Sequence, residues 1–298
     1  MKATFTRRDF SKAIALGMGA AAIPALGAAE RRLKIGYTAL TWGASPGRPG
    51  LAPMDQALKD MAALGYWAFE TFSQVLVDLD AQGELRGLID KYKVPLNAGY
   101  FPMNVTDPVL IKANVPDAIQ HGKVVKKYGG TFLVLQVNSV KRADYDFKAH
   151  FADIVSNLND CSLALNDLGI GSGLHQHTGT AVETRDEVYA VMEKVNTKYM
   201  KFAPDIGQLQ RGGSDPVKVV KDFLSITEHM HVKDWDGKRY CPLGQGNVDI
   251  ASIMDMIEAS GKSPDLNVEL DGSRPQTPFE AAQTTKTYLQ KIGYKFAA

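Results

Sequence analysis

Short apolar runs recur along this chain about every 30 residues, each followed by a stretch with helical periodicity. The runs cover residues 33–40, 66–72, 96–101, 131–137, 170–175, 200–206, 228–233 and 267–270. The helical stretches cover 54–64, 84–92, 115–128, 147–168, 185–195, 216–223, 248–260 and 279–292. Asp107-Pro108, Ser214-Asp215-Pro216 and Thr277-Pro278 place a proline just inside a helix start, where its missing N–H costs nothing. Leu64-Gly65 and Tyr128-Gly129-Gly130 read as helix ends. Eight strand–helix units predict an α/β fold, a single (β/α)8 TIM barrel. A doubly wound sheet would carry a glycine fingerprint after its first strand, and Gly36-Tyr37-Thr38-Ala39-Leu40 has none. The loop at 43–53 is long, rich in Gly and Pro, and placed to reach over a barrel mouth. No linker divides the chain.

The 298 residues are 45% hydrophobic and 22% charged, which excludes long disorder, collagen and coiled coil. Residues 1–29 read as an export signal. Thr6-Arg7-Arg8-Asp9-Phe10-Ser11-Lys12 precedes a weakly apolar run that ends in small residues before Glu30. The paired arginines followed by Phe10 resemble a twin-arginine signal, with cleavage expected near Ala28–Ala29. Residues 30–298 would then be the mature barrel, periplasmic or secreted. The apolar run contains Pro24 and much Gly and Ala, a poor membrane span, and no cysteine follows it to take a lipid. No membrane anchor is therefore expected after cleavage. Removing the segment takes away four of the 34 basic and one of the 33 acidic side chains, leaving a net charge near −2. With no basic stripe, nucleic acid is not an expected partner. Cys161 and Cys241 are far apart, form no CxxC, and read as ordinary thiols. Nothing in the sequence decides between a monomer and a homo-oligomer.

A barrel of this type builds its site at the carboxyl ends of its strands. Here several strand ends are polar. They are Phe69-Glu70-Thr71-Phe72, Leu174-His175-Gln176-His177, Pro204-Asp205-Ile206-Gly207-Gln208, His229-Met230-His231-Val232-Lys233, and Val268-Glu269-Leu270-Asp271. Strand alternation puts His229, His231 and Lys233 on one face, and His175 and His177 on another. If those faces point inward, His175, Asp205, His231 and Glu269 converge from four successive strands. Two imidazoles and two carboxylates suit Mn²⁺, Co²⁺, Fe²⁺, Ni²⁺ or Zn²⁺, not a calcium cage. Taken alone, each residue has an ordinary explanation: a lone Asp after a strand caps a helix, and a lone His is a satisfied polar group. The coincidence at homologous strand ends argues otherwise, because buried charge is costly unless paired or bound to metal.

These segments resemble the xylose-isomerase-like barrel superfamily of sugar phosphate isomerases and epimerases. The motifs are His231-Val-Lys-Asp234, Pro242-Leu-Gly-Gln-Gly-Asn-Val-Asp249 and Val268-Glu269. The run His175-Gln-His177-Thr-Gly-Thr180 is more similar to the inosose dehydratases of that superfamily than to its epimerases. Asp205-Ile-Gly-Gln208 matches the family's Asp-Thr-Gly-His stretch. Carried over, the family's Glu, Asp, His and Glu ligands fall on His175, Asp205, His231 and Glu269. His175 stands in place of a glutamate, and Gln208 in place of a histidine that contacts substrate or metal. The resemblance implies a divalent metal that chelates a sugar carbonyl and hydroxyl and stabilises an enediolate. Glu70 and His177 are the candidate bases, Lys233 the candidate electrophile, and Trp42, Gln208 and Trp235 candidate substrate contacts. The expected substrate is an unphosphorylated sugar, keto-sugar or cyclitol, because an exported protein meets few sugar phosphates. The expected reaction is isomerisation or elimination. The alternatives are a sugar epimerase and a silent carbohydrate-binding barrel.

Overall fold

The computed structural model describes residues 31–47 and 50–297. The proposed export signal, residues 1–29, lies outside them. Eight parallel strands form the sheet: β1 (Ile35–Thr38), β2 (Phe69–Phe72), β3 (Leu96–Met103), β4 (Phe132–Val137), β5 (Gly171–His175), β6 (Met200–Phe202), β7 (His229–Val232) and, after a short ribbon, β10 (Asp265–Val268). Their order is β6-β5-β4-β3-β2-β1-β10-β7. Parallel bridges from Phe202 to Thr227 and from Asp205 to His231 join the two ends, so the sheet closes into the expected barrel.

Helices α1 (Leu51–Leu64), α2 (Ser73–Ala81), α3 (Leu85–Tyr92), α4 (Asn114–Lys127), α5 (Phe147–Asp167), α6 (Arg185–Lys194), α7 (Ile206–Arg211), α8 (Pro216–Phe223), α9 (Ile250–Ser260) and α10 (Pro278–Lys291) surround it. Their stops and starts follow local chemistry. Gly65 ends α1 in the left-handed region at φ 76°. Thr277 and Glu280 form a capping box at α10, with Pro278 in its first turn. Thr184 and Glu187 do the same at α6. Such caps contribute about 1 kcal/mol each.

The departures from the sequence expectations are local. Asp107 accepts hydrogen bonds from Val109 N and Leu110 N, yet only a 3₁₀ turn follows Pro108, and α4 begins at Asn114. The expected strand 200–206 stops at Phe202, because Asp205 caps α7 by accepting from Gln208 N at 2.9 Å. The last strand sits two residues earlier than expected, at Asp265–Val268. Helix α2 starts directly on the end of β2, and α7 follows β6 after three residues. A two-stranded antiparallel ribbon, β8 (Asp234–Trp235) with β9 (Tyr240–Cys241), fills the loop after β7. Cys161 and Cys241 are both free and buried.

The main core lies between sheet and helices, built from residues such as Leu58, Leu76, Leu133, Leu158, Val191 and Ile253. The barrel lumen is different. A small apolar layer of Ala98, Tyr100, Phe132, Val134 and Ala203 fills part of it, and polar side chains fill the rest. Inward glycines make the room. A Cβ on Gly171 would lie 2.8 Å from the Phe132 ring, and one on Gly36 would lie 2.1 Å from Asn267 Oδ1. Asn267 is held there by donating to Glu70 at 2.9 Å and by exchanging hydrogen bonds with Asn97 at 3.1 and 3.3 Å. It therefore cannot yield cheaply. Gly36→Ala is expected to destabilise the fold by about 2 kcal/mol through overpacking, read as a lower urea midpoint.

Candidate active site

Register decides which side chains meet in the lumen. Asn267 on β10 pairs with His231 on β7, Gln136 on β4 with His175 on β5, and Asp205 bridges to His231. Alternation does the rest: Asp265, Asn267, Glu269 and Asp271 share one face, as do His229, His231 and Lys233.

The floor of the site is a carboxylate held between two imidazoles. Glu70 is 1% exposed. Its Oε1 accepts from His231 Nε2 at 2.8 Å, and its Oε2 lies 2.8 Å from His229 Nε2. Burial opposes its ionisation, but His231 and His229 outweigh that and hold the carboxyl well below the usual range. Above it, the donor atoms of His175, Asp205, His231 and Glu269 all lie within 4.8 Å of one another, and all four residues are buried. Of the cluster's atoms, His175 Nε2 has no partner among the described residues, while Asp205 Oδ2 meets only Lys233 and His231 Nδ1 only Glu269. An orphaned buried imidazole nitrogen is rare, and one that faces two carboxylates and a second imidazole is what a bound cation satisfies.

The surrounding bonds orient these groups. His175 donates from Nδ1 to Ala203 O at 3.1 Å, which leaves the Nε2 lone pair facing the cluster. His231 donates from Nε2 to Glu70, which leaves Nδ1 facing it and touching Glu269. A carboxylate or carbonyl behind each imidazole is the usual support of a metal-ligating histidine. Asp205 divides its two oxygens: Oδ1 caps α7, and Oδ2 lies 2.9 Å from Lys233 Nζ. The donor set and its geometry fit a divalent transition ion.

Lys233 is fully buried and reaches three carboxylates: Asp205 at 2.9 Å, Glu269 at 3.0 Å and Asp271 at 2.9 Å. Burial alone would strip its proton, but those carboxylates raise its pKa well above the ordinary value. Burial likewise disfavours charge on Glu269, yet His231 and Lys233 keep it well below the usual carboxylate range. For His231 burial is outweighed by Glu269 and Glu70, so its imidazole titrates well above the ordinary value. His175, buried with no carboxylate as close, is pushed well below it. The two histidines of the cluster thus differ: burial pushes His175 toward its neutral form, and the carboxylates hold a proton on His231.

A cavity of about 140 Å³ opens over this floor, lined by Glu70, Tyr100, His177, Glu269 and Asp271 among others. A wider vestibule of about 820 Å³ lies outside it and shares His177 and Asp271. His177 accepts at Nε2 from the Gln208 amide at 2.6 Å and donates from Nδ1 to Thr178 O at 2.8 Å. Gln208 also accepts from Thr178 Oγ1 at 2.7 Å and from the Tyr240 hydroxyl. Trp42 donates to Asp60 at 2.7 Å and lines the vestibule, as Trp235 does. All ten candidate residues thus sit at one end of the barrel. Glu70, His175, Asp205, Gln208, His231, Lys233 and Glu269 are buried, His177 lines both cavities with Gln208 packed behind it, and the two tryptophans stand in the vestibule.

Sequence reasoning missed four groups here. Asp271 lies two residues beyond Glu269, so alternation alone could have found it. Asn267, two residues before Glu269, carries the same signal. Tyr100 meets His175 edge-on at 5.3 Å and stacks over His231 at 6.1 Å, but looked like ordinary core. Tyr240 comes from the ribbon, which no periodicity announced.

The family model described as a xylose isomerase-like TIM barrel matches residues 58–292. An inosose dehydratase of Mesomycoplasma hyopneumoniae is 24% identical over 216 residues, 68% of this chain and 70% of that protein. The fold is similar to a D-allulose 3-epimerase from Methylomonas sp. in complex with D-allulose, with TM-score 0.74 and 17% identity over 88% of this chain and 98% of that one. It is also similar to the IolI protein with a bound zinc atom, with TM-score 0.67 and 19% identity over 87% and 98%. The matched span includes every strand but the first and every residue of the four-ligand cluster, and on it the chain belongs to the xylose isomerase-like TIM barrel family.

Proposed function

We propose that the protein is a divalent-metal-dependent lyase or isomerase acting on an unphosphorylated sugar, keto-sugar or cyclitol through an enediolate. The carrying observation is the set of four buried residues whose ligand atoms lie within 4.8 Å of one another, with His175 Nε2 left without a partner and Glu269 on the wall of a small cavity. The cavity is far below the several hundred Å³ that drug-sized ligands occupy, and suits one small ring. The related inosose dehydratase and allulose epimerase support a small sugar-like substrate. A divalent ion held by His175, Asp205, His231 and Glu269 supplies Lewis-acid stabilisation of the negative charge that develops on a substrate carbonyl oxygen. Its identity among Mn²⁺, Co²⁺, Fe²⁺, Ni²⁺ and Zn²⁺ is open to metal analysis.

The chain's own groups then divide the work. Glu70 holds the tautomer of His231, since both its oxygens are already engaged there and at His229 and Asn267. Glu269 presents Oε1 to Lys233 and stands at the cavity wall, placed to take the proton beside a carbonyl. His177 stands at the same cavity and can take or return a proton once the Gln208 amide releases its Nε2. Lys233 pairs with three carboxylates and offers a fixed positive charge to developing oxyanion character. An epimerase needs two opposed bases of similar strength. Here an imidazole, His175, replaces one carboxylate of the family pattern, which favours elimination with one base and one positioned acid.

Four outcomes are expected. Purified protein should carry about one transition-metal ion per chain, lost in a His231→Ala, Glu269→Ala double variant. Because His231 holds a proton well above its usual pKa, uptake must displace it, so metal affinity should rise with pH through neutrality. Glu70→Gln should weaken metal binding about 10- to 100-fold by loosening His231. In D₂O, the loaded protein should exchange a carbon-bound proton of an inosose or of allulose, followed by NMR, and chelation should stop it. Metal without exchange on any keto-sugar would leave the binding-barrel reading; no metal at all would sink the mechanism.

We also propose export through the twin-arginine route to the periplasm or beyond, on the strength of residues 6–12 and the run that follows. An Arg7→Lys, Arg8→Lys variant should stay in the cytoplasmic fraction.

A further inference from the structure

The outer vestibule carries a charge pattern that the inner site does not use. Arg211, Lys238, Arg239 and Arg274 all line it, against a single lining carboxylate, Asp271. Asp271 is already held by Lys233 at 2.9 Å, and Arg239 lies 3.5 Å from Asp236. Among the described residues no carboxylate comes within ion-pair distance of Arg211, Lys238 or Arg274. Residues 30–298 as a whole are slightly acidic, so three unpaired cations around one concavity are a local feature. Single exposed charges are worth little, but several converging on a cavity focus their field on what enters it.

Arg211 is also built into place. Its guanidinium lies 5.2 Å from the Trp235 ring and 5.3 Å from the Tyr240 ring, and Nη1 donates to the Tyr240 hydroxyl at 3.2 Å. Tyr240 donates to Gln208 Oε1, and Gln208 donates to His177 Nε2 at 2.6 Å. An unbroken run of hydrogen bonds, all pointing inward, therefore connects the vestibule cation to the rim of the catalytic cavity. A group that pulled on Arg211 would be felt at His177.

We infer that the vestibule is a second subsite for an oxyanion carried on the far end of the substrate, with Arg211 as its principal contact and Arg274 and Lys238 beside it. This rests on the proposed sugar-directed reading of the inner cavity and adds the substrate's charge to it. Carboxylate, sulfate and phosphate share the chemistry that Arg recognises. The export reading leaves carboxylate and sulfate as the expected forms.

The test is calorimetric titration of the protein, with and without Mn²⁺, using glucose, glucuronate, glucose 6-sulfate and glucose 6-phosphate. The charged sugars are expected to bind about tenfold tighter than glucose at low salt, and to lose most of that advantage in about 0.5 M NaCl. A Lys238→Gln, Arg274→Gln variant, altered only at exposed positions, should lose part of the preference, and Arg211→Met the rest, with metal content unchanged in both. The order among the three anions identifies the oxyanion. Equal affinities for all four sugars, no binding of any, or a preference that survives both variants would overturn the inference. If the preference holds while metal binding and proton exchange fail, the subsite stands and the lyase reading falls. If exchange proceeds without any charge preference, the lyase reading stands and the subsite falls.

Discussion

Glu70 puts a negative charge on the axis of the barrel with almost no water around it. A buried carboxylate persists only if its surroundings supply the missing solvation. Here they do so from three strands: His231 and His229 on β7, and Asn267 on β10, with Asn97 on β3 behind. The inward glycines exist because this polar plug takes up the lumen volume. The plug also settles the tautomer of His231, and through it the direction in which the cluster's donor atoms face. Stability and chemistry thus share one set of hydrogen bonds, and removing Glu70 would disturb both.

A second layer of charge sits above the first. Lys233 binds three carboxylates that would otherwise repel one another at short range, and those carboxylates keep the ammonium charged against its own burial. The arrangement is self-compensating, and it leaves His175 Nε2 without a partner beside the ion-paired Asp205 and His231. Glu269 and Glu70 together raise the pKa of His231 well above its ordinary value despite its burial. Outward from there the walls change character, from carboxylate and imidazole to tryptophan, tyrosine and arginine.

Much of this was legible in the chain. The 30-residue alternation of apolar run and helical pattern predicts the barrel, and barrel geometry predicts that chemistry lies at strand ends. Simple alternation groups His231 with Lys233, and Asp205 reads equally as cap and ligand. The structure has it as both, one oxygen to each task. Less legible were the details set by neighbours. Both Glu70 oxygens are taken up by histidines and Asn267, which the sequence could not show because the partners lie far apart along the chain, His231 by 161 residues and Asn267 by 197. The ribbon that delivers Tyr240 has strands of two residues each, too short for any periodic signal. The early end of β6 follows from a cap competing with the strand for Asp205.

The amino-acid sequence by itself determined the secondary-structure alternation, the closed parallel topology and the residue types gathered at the strand ends, because these depend on local periodicity and on the few connections a βα chain can make. It also carried the motifs that mark the family. Only the tertiary structure decided the register, which places Asp205 opposite His231 and Asn267 beside it, and hence which nitrogens and oxygens are left without partners. That decision belongs to barrel closure, where side chains distant in sequence compete for a lumen of fixed volume and little solvent. Which charges are compensated and which remain free is settled there.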